Sequence, residues 1–266
     1  MPTYVFVHAH PDDEGTLTCG SMAQAVARGD KVVLVFATSG EHGELPDDLA
    51  PGETLADRRR AEATSAAALI GVSAVHWLGY RDSGMTGWEQ NADPDCLARA
   101  PLDEAAGRLA AILDAEDADI LVGYDWHGNY GHPDHVAVHH LVRRARELAA
   151  KRPRLFEATM NRDQMRRLYQ AARAAGAEDD FDPDSPLDDG NPLGTPEAEL
   201  HLRVDVSDHV ALRRGVIASH ASQAKDTQGF LMLPDEAFLA MFGAEHYVEP
   251  DAGPGLREGW FTDPLA

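Results

Sequence analysis

Short apolar runs alternate with helix-length stretches along this chain, and that alternation admits few architectures. "TYVFVHA" (3–9), "KVVLVFATS" (31–39), "AVHWLGY" (74–80), "DILVGYD" (119–125) and "RLFEATM" (154–160) are rich in β-branched and aromatic residues. The second is apolar for most of its length, as a strand buried on both faces requires. Helical stretches fall between the runs: about 16–28, ending at Gly29; an alanine-rich segment at 54–70, ending at Gly71; about 102–116; and Pro133 to about 150. Strands separated by helices of this length predict βαβ units, hence an α/β fold with a parallel sheet covered on both sides.

The segment "GAEDDFDPDSPLDDGNPLGTP" (176–196) interrupts this rhythm. It reads as a flexible acidic loop or lid within a single domain spanning 1–266, because "ELHLRVDVS" (199–207) resumes strand character. Asp180, Asp182 and Asp184 mimic the start of a calcium loop, but Ser185 stands where glycine is needed and Asn191 where glutamate is needed, so an EF-hand is excluded.

The net charge of −22 argues against nucleic acid and anionic membranes as partners, both of which select a basic footprint. No run of 18 apolar residues occurs, and the first residues enter a strand pattern directly, so a cytoplasmic, non-membrane protein is expected. Cys19 and Cys96 match no metal or redox spacing and read as free thiols of a reducing compartment. A homo-oligomer is compatible with the sequence.

In open parallel sheets, ligands bind beyond the carboxyl ends of the strands. Two chemically loaded segments sit at such ends. "VFVHAHPDDEG" (5–15) closes the first run, and "YDWHGNYGHPDH" (124–135) follows the fourth. Three adjacent carboxylates repel one another, and a cation offsets that cost. His10 and Asp13 are three apart across Pro11. His132 and His135 are three apart on one helix face, with Pro133 suited to the first helical position. Two imidazoles and one carboxylate with a place left for water form the usual catalytic zinc arrangement; iron or cobalt suits the same donors. Spacing leaves open whether Asp12 or Asp13 ligates and which serves as general base. His132, where not a ligand, is placed to act as an acid with Asp134 orienting it, and Tyr130 to bind an oxyanion.

"AHPDDE" (9–14), "GHPDH" (131–135), "DSGM" (82–85) and "SHASQ" (219–223) together resemble the PIG-L/LmbE-like de-N-acetylases, from residue 3 to about 225. "LGYRDSGM" and "NYGHPDH" are most similar to mycothiol-pathway members, the deacetylase of N-acetylglucosaminyl-inositol and the conjugate amidase. The resemblance implies a Rossmann-like three-layer α/β/α sandwich with a mainly parallel sheet. It implies a zinc hydrolase that removes an N-acetyl group from an N-acetylglucosaminyl-type conjugate, or an amidase or aminosugar deacetylase of the same kind. It also implies one zinc held by His10, Asp13 and His135, with Asp12 as base, His132 as second catalytic group held by Asp134, and Tyr130 near the oxyanion. "RRRAE" (58–62) suggests Arg59 as a sugar contact, with Asp82 as another; from spacing alone, Arg59 and Glu62 equally suit a surface ion pair. His139 reads as packing behind the site, and Trp88 and Trp126 as stacking platforms or ordinary aromatics.

Two other classes compete. A nucleotide-dependent oxidoreductase lacks its G-x-G-x-x-G turn, which the three acids occupy. A non-catalytic metal or sugar-binding module has no need of Asp12, His132 and Tyr130 beside the ligands.

Overall fold

The structure, a computed structural model, describes residues 1–176 and 182–264, without the side chain of Asp226. Five parallel strands form the body of the sheet: β1 (Thr3–His8), β2 (Lys31–Phe36), β3 (Ala74–Trp77), β4 (Ile120–Tyr124) and β5 (Arg154–Thr159). They lie in the order β3-β2-β1-β4-β5, so the chain leaves β1 in one direction and later returns to its other side. Such a reversal is where an open α/β sheet makes its crevice.

The helices of this half are α1 (Cys19–Ala27), α2 (Leu55–Ile70), α3 (Leu102–Glu116) and α4 (Pro133–Leu148). Their ends follow from local chemistry. Thr54 caps α2 by accepting the Asp57 N–H while the Asp57 carboxylate accepts the Thr54 N–H, and Gly71 ends it in a left-handed conformation. Pro133 starts α4 where its missing N–H costs nothing. Helix α3 packs on α4, and α1 and α2 pack with α6 (Val210–Ser219). Between the helices, β1, β2 and β4 are buried over nearly their whole length.

The remaining strands mix directions, leaving the whole sheet mainly parallel, as expected. β6 (Leu202–Asp205) is antiparallel to β7 (Ala244–Val248), which inserts beside β5, also antiparallel; β8 (Arg257–Glu258) closes the far edge. The run read as 199–207 is therefore a four-residue strand between β7 and β8, and that read as 74–80 stops at Trp77. "AEHYV" escaped as a strand because two of its three buried residues, Glu245 and His246, are polar. Glu245 accepts the N–H groups of Gly20 and Ser21 at 2.8 and 2.9 Å and pairs with buried Arg213. Helix α5 (Arg162–Ala174) follows β5, and α7 (Ala224–Leu231) and α8 (Asp235–Phe242) follow α6.

Part of the acidic loop, 177–181 with Asp180, lies outside the described residues. Its later part is tied down: the Gly194 N–H donates to Asn129 O at 2.7 Å, Asp188 N–H to Tyr130 O at 3.2 Å, and Leu193 and Thr195 are buried.

Two buried histidines outside the cleft give the fold a pH dependence. Burial pulls His139 (α4) and His246 (β7) down to about 4. The unfolded chain then binds protons that the folded chain refuses between about pH 6.5 and 4, so unfolding free energy falls as pH drops through that window. Each ring accounts for up to about 3 kcal/mol of the loss. Urea titrations of His246→Gln should show a flatter decline than the parent; an identical slope contradicts the assignment.

Candidate active site

Strand register brings the two loaded segments together. Tyr4 pairs with Ile120 and Phe6 with Val122, so His8 and Tyr124 finish side by side at the same rim. The Tyr124 hydroxyl donates to Asp13 Oδ2 at 2.7 Å and accepts the Ala9 N–H at 3.0 Å, and His8 Nδ1 lies 3.2 Å from it. Asp13 Oδ2 also accepts the His10 N–H at 2.8 Å. The turn leaving β1 is thus fastened to the end of β4.

The first turn of α4 supplies the other arm. His135 Nδ1–H donates to Gly128 O at 3.1 Å, which leaves the Nε2 lone pair free to ligate. Gly128 has φ +66°, and a Cβ there would stand 2.3 Å from the His135 Cβ, so only glycine lets the loop pass beneath the ring. His132 caps the helix: its Nδ1 accepts the Asp134 N–H at 3.1 Å, so in the neutral ring the proton sits on Nε2.

His135 Nε2 stands 3.3 Å from Asp13 Oδ1, is buried, and makes no hydrogen bond. Two donors each about 2.0–2.1 Å from one tetrahedral ion stand about 3.3 Å apart. His10, His132 and His135 each place a ring nitrogen within 4.8 Å of the others, and His10 Nδ1 lies 3.6 Å from Asp13 Oδ2. This donor set fits a divalent metal ion.

The charges are mutually offset. Burial pushes the Asp13 carboxyl up, but His135, His10 and His8 overcome it and hold the group well below the usual carboxylate range. Burial lowers His10, and Asp82, Asp134 and Asp13 more than restore it. Asp12, with 21% of its side chain exposed, is pushed up to about 6 by burial against the pull of Arg59. Burial, then His10 and His135, draw His132 down to about 2.

Two sequence expectations need correction. The Asp134 carboxylate does not hold His132. It accepts Ser83 N–H at 2.9 Å and the Ser83 hydroxyl, and meets His10 Nε2 at 3.1 Å. The reason is that the His132 ring is already turned back to cap the helix, so Asp134 points across to His10. Arg59 and Glu62 are not a surface pair, since both are buried. Arg59 donates to Pro11 O, to Gly40 O at 2.7 Å and to Asp12 Oδ2 at 2.8 Å, while Glu62 accepts Ser222 N–H and Oγ–H at 2.8 and 2.6 Å. Asp82 accepts Gly84 N–H and His42 N–H at 2.8 and 3.1 Å and lies 3.6 Å from His10 Nε2. The Tyr130 ring meets His135 edge-on at 4.8 Å.

The nine residues given catalytic, ligating or sugar-binding roles from the sequence are in or against one cleft of about 1050 Å³; Asp134 and His135 sit just behind its lining. Its walls include Met85, Trp88, Leu187 and Phe230. Trp126 lies outside, against His127. His139 Nδ1 donates to Tyr124 O at 3.1 Å behind the site.

Sequence reading passed over Tyr124 and Ser83, which hold Asp13 and Asp134. Tyr124 was findable as the last polar-tipped residue of a strand aimed at the rim. Removing its hydroxyl in Tyr124→Phe should lower metal affinity about 10–100-fold, the usual cost of losing an outer-shell partner. Chelator competition measures this; unchanged affinity shows that Asp13 needs no such support.

Residues 5–146 match the family model described as GlcNAc-PI de-N-acetylase, PIG-L. The chain is 34% identical over 273 residues to the 1D-myo-inositol 2-acetamido-2-deoxy-alpha-D-glucopyranoside deacetylase of Thermobispora bispora, covering 95% of this chain and 89% of that protein. It is 37% identical to the protein of the same name from Nocardiopsis dassonvillei, covering 82% and 83%. Among solved structures, it resembles N,N'-diacetylchitobiose deacetylase from Pyrococcus horikoshii (TM-score 0.56, 23% identity, 86% of this chain and 75% of that one). It also resembles GalB, a 4-carboxy-2-hydroxymuconate hydratase from Pseudomonas putida (TM-score 0.58, 18% identity, all of both chains). The same fold thus carries a hydratase and deacetylases, so activity must be argued from the site. With its family match running from β1 through most of α4, and a third of its residues shared with relatives over nearly its full length, the chain belongs to the PIG-L family of de-N-acetylases.

Proposed function

We propose that the protein is a metal-dependent amidohydrolase that removes the N-acetyl group from an N-acetylglucosaminyl-type conjugate. The observation that carries this reading is the 3.3 Å approach of His135 Nε2 to Asp13 Oδ1 beside His10, with Asp12 in the same cleft. The named activity of the relatives from Thermobispora bispora and Nocardiopsis dassonvillei supports the substrate class.

His10, Asp13 and His135 are the proposed ligands, with zinc the expected ion and iron or cobalt acceptable to the same donors. Lewis acidity toward water and toward the acetyl carbonyl is the chemistry such an ion supplies when bound. Asp12 takes the proton of the attacking water and returns it to the departing amine. His132, with Nδ1 committed to the helix cap, offers Nε2–H to the developing oxyanion, and Tyr130 flanks the same position. Arg59 and Asp82 line the cleft, where a guanidinium and a carboxylate suit sugar hydroxyls; Arg59, from α2, also braces the turn at Asp12, and Asp82 also accepts from the backbone of His42 and Gly84.

A second reading, cleavage of a larger mycothiol-type amide by the same groups, is favoured by one feature. The cleft of about 1050 Å³ is at the upper end for small-molecule sites, leaving room beyond a sugar conjugate. Among the described residues, no helix is long and apolar enough to cross a membrane. The deciding experiment is a panel of N-acetylglucosaminyl conjugates assayed for free amine and acetate, with zinc and after chelation. Release that is unaffected by chelation, or absent from every conjugate, rejects the proposal.

A further inference from the structure

We propose that the buried pair Glu14–His220 positions Asp12, holding the turn that aims its carboxylate into the cleft; the inference rests on Asp12 acting as the base. Neither residue has any exposed surface and neither lines the cleft, so neither touches substrate. What Glu14 touches is the backbone of Asp12. Its Oε2 accepts the Asp12 N–H at 2.9 Å, and its Oε1 is held by His220 Nε2 at 2.6 Å.

Asp12 needs such a grip. Its φ of +98° is a conformation that a residue with a side chain does not adopt unaided. Its carbonyl accepts from Gly15 and Thr16 at 3.0 and 3.2 Å, and its carboxylate accepts from Arg59 at 2.8 Å. Glu14 supplies the remaining hold, on the N–H.

The pair is itself located from α2. His220 follows the last turn of α6, and two residues on, Ser222 is clamped through both its N–H and its hydroxyl by Glu62. Helix α2 therefore reaches Asp12 twice: directly through Arg59, and through Glu62, Ser222, His220 and Glu14 in turn. A contact that only joined the turn to α6 would have no reason to end on the backbone of the one residue in the turn with a strained φ. Its loss would lower stability alone.

The test is steady-state kinetics of the metal-loaded full chain, with metal content and melting temperature measured on the same samples. Glu14→Ala and His220→Gln should lose about 10–100-fold in kcat at unchanged KM and full metal content, the scale of a misplacement of about 1 Å. Glu14→Gln keeps an amide oxygen for the Asp12 N–H and should recover to within about fivefold of the parent. Should Glu14→Ala fail to fold, His220→Gln supplies the same readout. Full kcat in the folded variants overturns the proposal, as does a loss that merely tracks metal content. Asp12→Asn, run in parallel, separates the two layers. If it is inactive while Glu14→Ala runs at full speed, only the positioning role falls. If Asp12→Asn is itself fully active, the base falls, and the pair's role with it.

Discussion

Asp12→Asn should keep its fold and its metal while turnover drops by about 10²–10⁴-fold, the usual contribution of a positioned general base. The substitution is nearly isosteric. The amide oxygen still accepts from Arg59 Nη2, now 2.8 Å from Asp12 Oδ2, and the backbone N–H still meets Glu14 at 2.9 Å. What disappears is a lone pair basic enough to take a proton. Because Asp12 precedes the proposed ligand Asp13 in the chain but faces Arg59, metal content separates this variant from a ligand variant. Metal analysis and kcat on one preparation decide the point. A variant that binds metal fully and turns over at the parental rate would leave the base unassigned.

His135→Ala should fail at the earlier step, metal retention. The ring supplies the Nε2 that approaches Asp13 Oδ1 at 3.3 Å, and its Nδ1 anchors it to Gly128 O. Loss of an outer-shell partner typically costs about 10–100-fold in affinity, and removal of a ligand itself should exceed that range. Thermal unfolding provides the readout. A ligand present at about 100 times its dissociation constant stabilises the folded state by about 2.7 kcal/mol. Added zinc should therefore raise the melting temperature of the parent and barely move that of the variant. An equal rise in both proteins would place the ion elsewhere.

The parallel half of the sheet and the two halves of the site were legible for related reasons. A strand buried on both faces must be apolar along its length, so its end is conspicuous when charged residues follow at once, as they do after Val7 and after Tyr124. The direction of individual side chains was not legible. Asp134 sits beside His132 in sequence, yet its carboxylate reaches His10, because His132 spends its ring on the helix cap. Arg59 and Glu62 occupy a spacing that suits a solvated ion pair, and only packing turns both inward to separate partners. The antiparallel strand β7 was hidden because Glu245 and His246, buried polar residues, break its apolar pattern. His220 meets Glu14 across 206 positions of chain, a separation that no local rule spans.

The pairing of β1 with β4 has a consequence for how such a protein matures. Between the two strands come β2, β3 and three helices, so a long excursion of chain must be laid down before Tyr124 arrives beside His8. Until then Asp13 and His135, the proposed ligands, belong to separate pieces of chain. On the metal site proposed above, uptake of an ion would follow the pairing of β1 with β4 and would then fasten that seam.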